Sequence, residues 1–281
     1  MLDIVTVVFR KELPILQLQA QSIELYCQNI GTKNIYVIVN DDDSVADQID
    51  PAWWGNLSSL VKIIPRSTFD CHWSDNGWVS QQALKMLGSS LSQNTWSMVL
   101  DAKTLFVNTC NFDNLIDNQS RIYISHLDVY EVFKRSKEIT DQLFDIDLPQ
   151  QIGPGGVPFF FHNETVREMI KFVEAKQTQV FAEWFQNQGM LTEFILYSGY
   201  VYFRDGSFDH LYSNPMKSGS IINICHSQVG MADILLRKMS SSGSWAVSVH
   251  RNAWTQLTPD QQHLYKELLI HRKLSRAKEI L

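Results

Sequence analysis

Asp101 ends the apolar run Trp96-Ser97-Met98-Val99-Leu100 and is followed by a small residue, Ala102, and a cation, Lys103. A carboxylate at the end of a buried strand can hold a divalent cation that bridges phosphates, or accept from a ribose hydroxyl. Ala102 would let a ligand approach the backbone, and Lys103 could meet a phosphate directly. The plain alternative is a strand-to-loop junction with solvated charges. Asp41-Asp42-Asp43 also contains two acids one residue apart, but an acidic turn accounts equally well for Asp42 and Asp43.

Further along, Glu193 follows Thr192 near a helix start. There it is either a general base for an attacking hydroxyl or a charge complementing a helix dipole beside its cap. Glu183 and Asp205 are the other carboxylates suited to the basic role. His226, in Ile224-Cys225-His226-Ser227, and His250, after Trp245 to Val249, have nearly the same context, and neither is singled out by it. Trp73 and Trp78 are placed to stack on a sugar, although burial explains most tryptophans.

The elements that must position these groups read as alternating strands and helices. Ile4 to Phe9 and Asn34 to Val39 are short, β-branched and uncharged, as buried parallel strands are. Leu13 to Asn29 reads as the helix between them, with Gly31 where a terminating glycine is expected. Val61 to Ile64 is a third strand, ending at Pro65. A helix then begins near Asn76-Gly77, with Ala83, Leu84, Leu87 and Leu91 on one side and Gln81, Gln82 and Lys85 on an opposite polar arc. The expected fold class is therefore α/β, Rossmann-like, with a mostly parallel central sheet flanked by helices. Ligands in such sheets sit beyond the carboxyl ends of the strands, which gives weight to the polar residues after Phe9, Val39 and Leu100.

The second half is more mixed. Strands are expected at Arg121 to Ser125, Ile221 to Cys225 and Trp245 to Val249, and helices within Val129 to Phe144, after an Asn163 cap, and near Thr192 to Tyr202. Gly153-Pro154-Gly155-Gly156-Val157-Pro158 is a loop, and it lacks the Lys-Ser/Thr ending of a phosphate-binding loop. Thr258-Pro259-Asp260 opens a last helix with cap and first-turn proline in place; its basic end reads as solvated, or as a peripheral contact with a membrane or acidic partner. The expected organisation is a nucleotide-sugar-binding half over residues 1–110, an acceptor-binding and catalytic half over 111–257, and a C-terminal helix over 258–281.

With 24 basic against 30 acidic residues, the formal charge of −6 gives no reason to expect nucleic-acid binding. Four widely spaced cysteines form neither a disulfide framework nor a metal-ligand pattern. No apolar run has the length of a membrane span, and the first residues read as a strand rather than a leader. A soluble, cytoplasmic protein is expected.

An apolar strand, Leu-Asp, a small residue, a charged residue and a second apolar stretch together resemble the Asp-x-Asp segment of GT-A-type glycosyltransferases, which act on nucleotide sugars. The order of the chain is similar through about residue 230: a Val-Thr-Val first strand, Asn40-Asp41 after the second, Gln82 and Lys85 on the helix before the motif, a Pro/Gly loop, a Glu-bearing helix and a late histidine. The likeness is to uncharacterised bacterial and phage-type members. It implies transfer of a sugar from a nucleoside-diphosphate donor to an acceptor hydroxyl on a glycan or a lipid-linked molecule. By the same resemblance, Thr6, Asn40 and Asp41 would contact the nucleoside, Gln82, Lys85, Asp101, Ala102 and Lys103 the rest of the donor, and Gly155 and Gly156 the acceptor, with Glu193 as base if the enzyme inverts. A manganese or magnesium ion would be held by Asp101 and His226. Lys103 stands where the family has a second acid, however, and a cation there disfavours an ordinary two-carboxylate site. Two rivals are a non-catalytic nucleotide-sugar or glycan-binding module and a sugar-phosphate nucleotidyltransferase. The second needs a glycine-rich basic loop after strand one, where this chain has Arg10-Lys11-Glu12.

Overall fold

The computed structural model describes residues 2–124, 127–153, 157–213, 221–241 and 244–281. Strand β1 (Leu2–Val8), helix α1 (Leu13–Tyr26), β2 (Ile35–Val39), β3 (Val61–Pro65), α2 (Gly77–Ser90) and β4 (Trp96–Asp101) build the first half, within a few residues of the expected limits. Every residue of β1 and β2 is buried, as strands covered on both faces must be. With β6 (Phe159–His162) they form a five-stranded sheet in the order β3-β2-β1-β4-β6, parallel except for β6, which runs antiparallel to β4. The fold is mixed α/β, with a mostly parallel central sheet flanked by helices.

A second sheet was not legible in the sequence. After Asp101 the chain turns through Ala102 and Lys103 into β5 (Thr104–Phe106), which leaves the main sheet. It pairs antiparallel with β8 (Ala246–Val249), itself parallel to β7 (Ile221–Ile224). Helix α1 therefore packs between two cores: Leu16 and Ile23 belong to the main one, while Leu18 joins Leu105, Ile222 and Val247 in the second. Tyr265 and Leu269 of α7 (Pro259–His271) complete that second core, so the C-terminal helix is packed against the body of the protein. Thr258 caps α7 as expected, accepting from Gln261 N.

Three further helices, α3 (Lys134–Phe144), α4 (Asn163–Gln177) and α6 (Glu193–Asp205), lie in the second half, with the shorter α5 (Phe181–Asn187) between the last two. The cap of α4 is His162, whose Nδ1 accepts from Thr165 N; Asn163 is instead buried in the first turn and donates to Asn94 O. Helix α2 packs against β1 on one side and against α4, α5 and α6 on the other. Gly88 permits the close approach to the sheet, since a β-carbon there would lie 2.9 Å from Val5 Cγ1 and 3.1 Å from Ile38 Cγ1. The polar arc of α2 is consequently not a solvated face, and Gln82 and Lys85 are buried. The four cysteines are free, and among the described residues no helix is long and apolar enough to cross a membrane.

Candidate functional site

Asp101 ends β4 at the carboxyl edge of the sheet. Lys85 Nζ lies 2.8 Å from its Oδ1 and Lys103 Nζ 2.6 Å from its Oδ2, so both carboxylate oxygens are occupied by ammonium groups. Lys85 Nζ also donates to Glu193 Oε1 at 2.9 Å, and both of these side chains are buried. Burial would lift the Asp101 carboxyl, but the two lysines outweigh it and hold it well below the usual carboxylate range. Burial would likewise lower the Lys85 ammonium, which Asp101 and Glu193 instead hold above the ordinary lysine value. The Glu193 carboxyl is raised by burial, with Lys85 opposing.

The turn that presents Lys103 is fixed from beneath by a residue the sequence reading missed. Gln19 of α1, fully buried, donates to Asp101 O at 2.7 Å and to Thr104 O at 3.0 Å, bracketing Ala102 and Lys103. Its Oε1 accepts from Thr6 Oγ1 at 2.9 Å. Thr6 is thus a strut under the turn and does not reach the surface, which corrects the nucleoside contact expected of it. The available signal was a glutamine at buried helical spacing among Leu16, Ala20 and Ile23.

An open cavity of about 300 Å³ lies over this turn. Its walls include Phe9, Lys11 and Glu12 after β1, Trp78 and Gln81 of α2, Asp101 and Lys103, and His250 and Arg251 after β8. Lys103 is partly exposed and Trp78 is 43% exposed, so an ammonium and an indole are both within reach of a ligand. Burial raises the Glu12 carboxyl, which accepts from Phe9 N at 3.2 Å. Burial, helped by Lys103, lowers the His250 imidazole below the usual value. His250 Nδ1 accepts from Asn252 N at 3.2 Å, so the neutral ring carries its proton on Nε2.

The structure separates the expected site residues. Asp101 and Lys103 line the cavity, with Lys85 directly behind Asp101, while Ala102 is buried in the turn. Gln81 rather than the buried Gln82 faces the cavity. Asn40 is buried and spent internally, donating to Gly77 O at 3.0 Å and accepting from Ser80 Oγ at 2.9 Å, which pins the start of α2 to the end of β2. Asp41 accepts from Arg10 N at 2.9 Å and ties the ends of β1 and β2 together, outside the cavity wall. Glu193 is 1% exposed and lies behind Lys85, a position from which it cannot take a proton from an acceptor. Of its alternatives, Glu183 lines a separate groove with Trp73, and Asp205 pairs with Arg204 at 2.6 Å. Gly155 and Gly156 lie outside the described residues.

The residues present do not fit a divalent cation. Both Asp101 oxygens already hold ammonium groups, and the exposed His226 is absent from the cavity wall, where His250 stands instead. Among the described residues no group of three acidic, histidine or cysteine side chains could hold a metal.

Residues 8–234 match the model of a family described as a family of unknown function (DUF6492), and the chain belongs to that family. No curated protein matches the sequence. Solved structures similar to this chain include a galactosyltransferase, LgtC, in complex with donor and acceptor sugar analogues, at 12% identity and a TM-score of 0.44, covering 94% of this chain and 95% of that one. An active-site mutant of LgtC is similar at 13% identity and a TM-score of 0.45, over 96% and 95% of the two chains. Mouse xyloside xylosyltransferase 1 in its apo form is similar at 10% identity and a TM-score of 0.42, over 89% and 99%. At these values the likeness assigns neither residues nor activity.

Proposed function

We propose that this member of the family is a glycosyltransferase whose Asp101 cavity receives a nucleoside-diphosphate sugar and whose product is a glycosylated acceptor hydroxyl, on a glycan or a lipid-linked molecule. The observation that carries the reading is the place of the cavity in the sheet. From β1 the chain runs outward through β2 to β3, then returns to place β4 on the other side of β1. Phe9 and Asp101, at the carboxyl ends of these two neighbours, both line the cavity. A reversal of strand order opens a crevice at that edge, where α/β sheets bind their ligands.

The chemistry of the walls suits such a donor. Lys103 is directed by the Gln19-braced turn toward the space a diphosphate would fill, and the exposed Trp78 offers a flat face for a base or sugar ring. In the transfer, the bond from the anomeric carbon to the phosphate oxygen breaks and its electron pair leaves on the diphosphate. The acceptor oxygen bonds to that carbon, and its proton passes to the departing diphosphate oxygen. Charge grows on the leaving group, and a preorganised ammonium beside it stabilises the transition state more than the ground state.

Titration of the full chain with UDP-, GDP- and CMP-sugars, followed by assays of donor hydrolysis and of sugar transfer, tests this reading. Saturable binding of a nucleoside-diphosphate sugar with release of the diphosphate is expected. Binding without turnover to any acceptor would favour a non-catalytic module, and absence of binding to every donor would reject the site.

A further inference from the structure

We infer that the diphosphate of the donor is neutralised by side-chain cations of this chain, Lys103 together with Lys11 and Arg251, and that no divalent metal takes part in holding it. The inference rests on the donor reading above and goes beyond it. Its first ground is the saturation of Asp101. A carboxylate that anchors a bridging cation must offer a free oxygen to it. Here Oδ1 is held at 2.8 Å by Lys85 and Oδ2 at 2.6 Å by Lys103. Lys85 cannot step aside, because it is 3% exposed and clamped on its other side by Glu193. It is a fixed internal charge that keeps Asp101 paired in all states of the site.

The second ground is the supply of cations on the cavity wall. Lys11 and Arg251 line it from opposite elements, one after β1 and one after β8. Among the described residues neither makes an ion pair, whereas Arg10, beside Lys11, pairs with Asp42 at 2.7 Å. Lys103 is the third cation and is held by Asp101, while Lys11 lies 5.5 Å over the centroid of the Phe9 ring. The carboxylates facing them are Asp101, which Lys85 also pairs, and Glu12, so the three cations outnumber the acids on the wall. The cavity therefore presents an excess of positive charge to an anion entering it, and charge-assisted hydrogen bonds from ammonium and guanidinium groups are strong enough to hold a diphosphate. Lys103 need not release Asp101 to do this, since an ammonium carries three donors and can give one to a phosphate oxygen while Oδ2 keeps another.

The test is calorimetric titration of the full chain with UDP and GDP, each in EDTA and again in manganese. Equal affinity in the two conditions is expected for whichever nucleotide binds. Lys103→Ala should weaken binding by about 10- to 100-fold, the worth of one charge-assisted contact, equally with and without manganese. Lys11→Ala and Arg251→Ala should each weaken it by several-fold, with affinity falling as salt is added. Lys62→Ala, an exposed cation on β3 away from the cavity, should change nothing. Unfolding midpoints of all four variants confirm that they are folded. Wild-type binding that requires manganese, or full affinity in Lys103→Ala, would overturn the inference while leaving the donor reading intact. Failure of both nucleotides to bind in either condition would overturn the donor reading, and this inference with it.

Discussion

Lys85 bridges two carboxylates from different layers of the molecule, lying 2.8 Å from Asp101 at the edge of the sheet and 2.9 Å from Glu193 at the start of α6. Its charge is what allows Glu193 to be buried. Glu193 Oε2 has no hydrogen-bond partner among the described residues, and the contact of Oε1 with Lys85 is the ion pair that compensates the charge.

Lys85→Met should therefore destabilise the fold by about 3–5 kcal/mol, the cost of removing one partner from a buried ion pair. The loss should also depend on pH. Without Lys85 the Glu193 carboxyl, already raised by burial, has its protonated form favoured further. A carboxyl raised in the folded state contributes stability below its unfolded value and loses it as pH climbs through the folded value. The deficit of the variant should accordingly shrink as pH falls from neutral toward the ordinary carboxylate range, read from thermal melts. Asp101 acts in the opposite sense in the wild type: held low by its lysines, it contributes stability that disappears only in stronger acid. A deficit independent of pH would show that Glu193 is not charged against Lys85.

Glu193→Gln tests the same contact from the other end. The amide oxygen can still accept from Lys85, and Glu193 has no access to a substrate. Transfer activity should stay within about tenfold of wild type, whereas removal of a general base costs about 10²- to 10⁴-fold. Steady-state rates at saturating donor decide between the two.

Gln19→Leu removes the donor for two carbonyls and the acceptor for Thr6 in one step. Each buried polar group left unpaired costs about 1–3 kcal/mol. Urea denaturation should show the loss of stability. Donor affinity should fall as well, because the Ala102-Lys103 turn is no longer held. Unchanged affinity in a destabilised variant would mean that the turn does not depend on its brace.

Trp78→Ala removes an exposed side chain and should leave stability within about 0.5 kcal/mol of wild type. Loss of a stacking face should weaken nucleoside-diphosphate binding by about tenfold, within the range of base–aromatic stacking. Fluorescence titration of the variant against the wild type measures it.

The first half of the fold is readable in the sequence because β1, β2 and β4 are buried on both faces and so appear as short, mostly apolar runs. The position of Asp101 at a strand end followed directly from its place after such a run. What could not be read was which polar groups would be enclosed. Lys85 and Gln82 share an arc of α2 that looks solvated until a third layer, α4 to α6, is laid over it. Glu193 looked like a base for the same reason. His226 and His250 follow similar strands, and only the pairing of β8 with β5 brings His250 to Asp101. Thr6 lies within β1 and Asn40 directly after β2, as expected, yet both spend their hydrogen bonds on Gln19, Gly77 and Ser80. Local spacing fixes neither the partner of a buried polar group nor the side of the chain that a later layer covers.

The most direct test of the central claim is a crystal structure of the chain with UDP or GDP, whichever binds in titration. The diphosphate should lie in the cavity over the Ala102-Lys103 turn, with a phosphate oxygen about 3 Å from Lys103 Nζ and a ring of the nucleotide against Trp78. A nucleotide bound elsewhere, with the cavity free of phosphate, would contradict that claim.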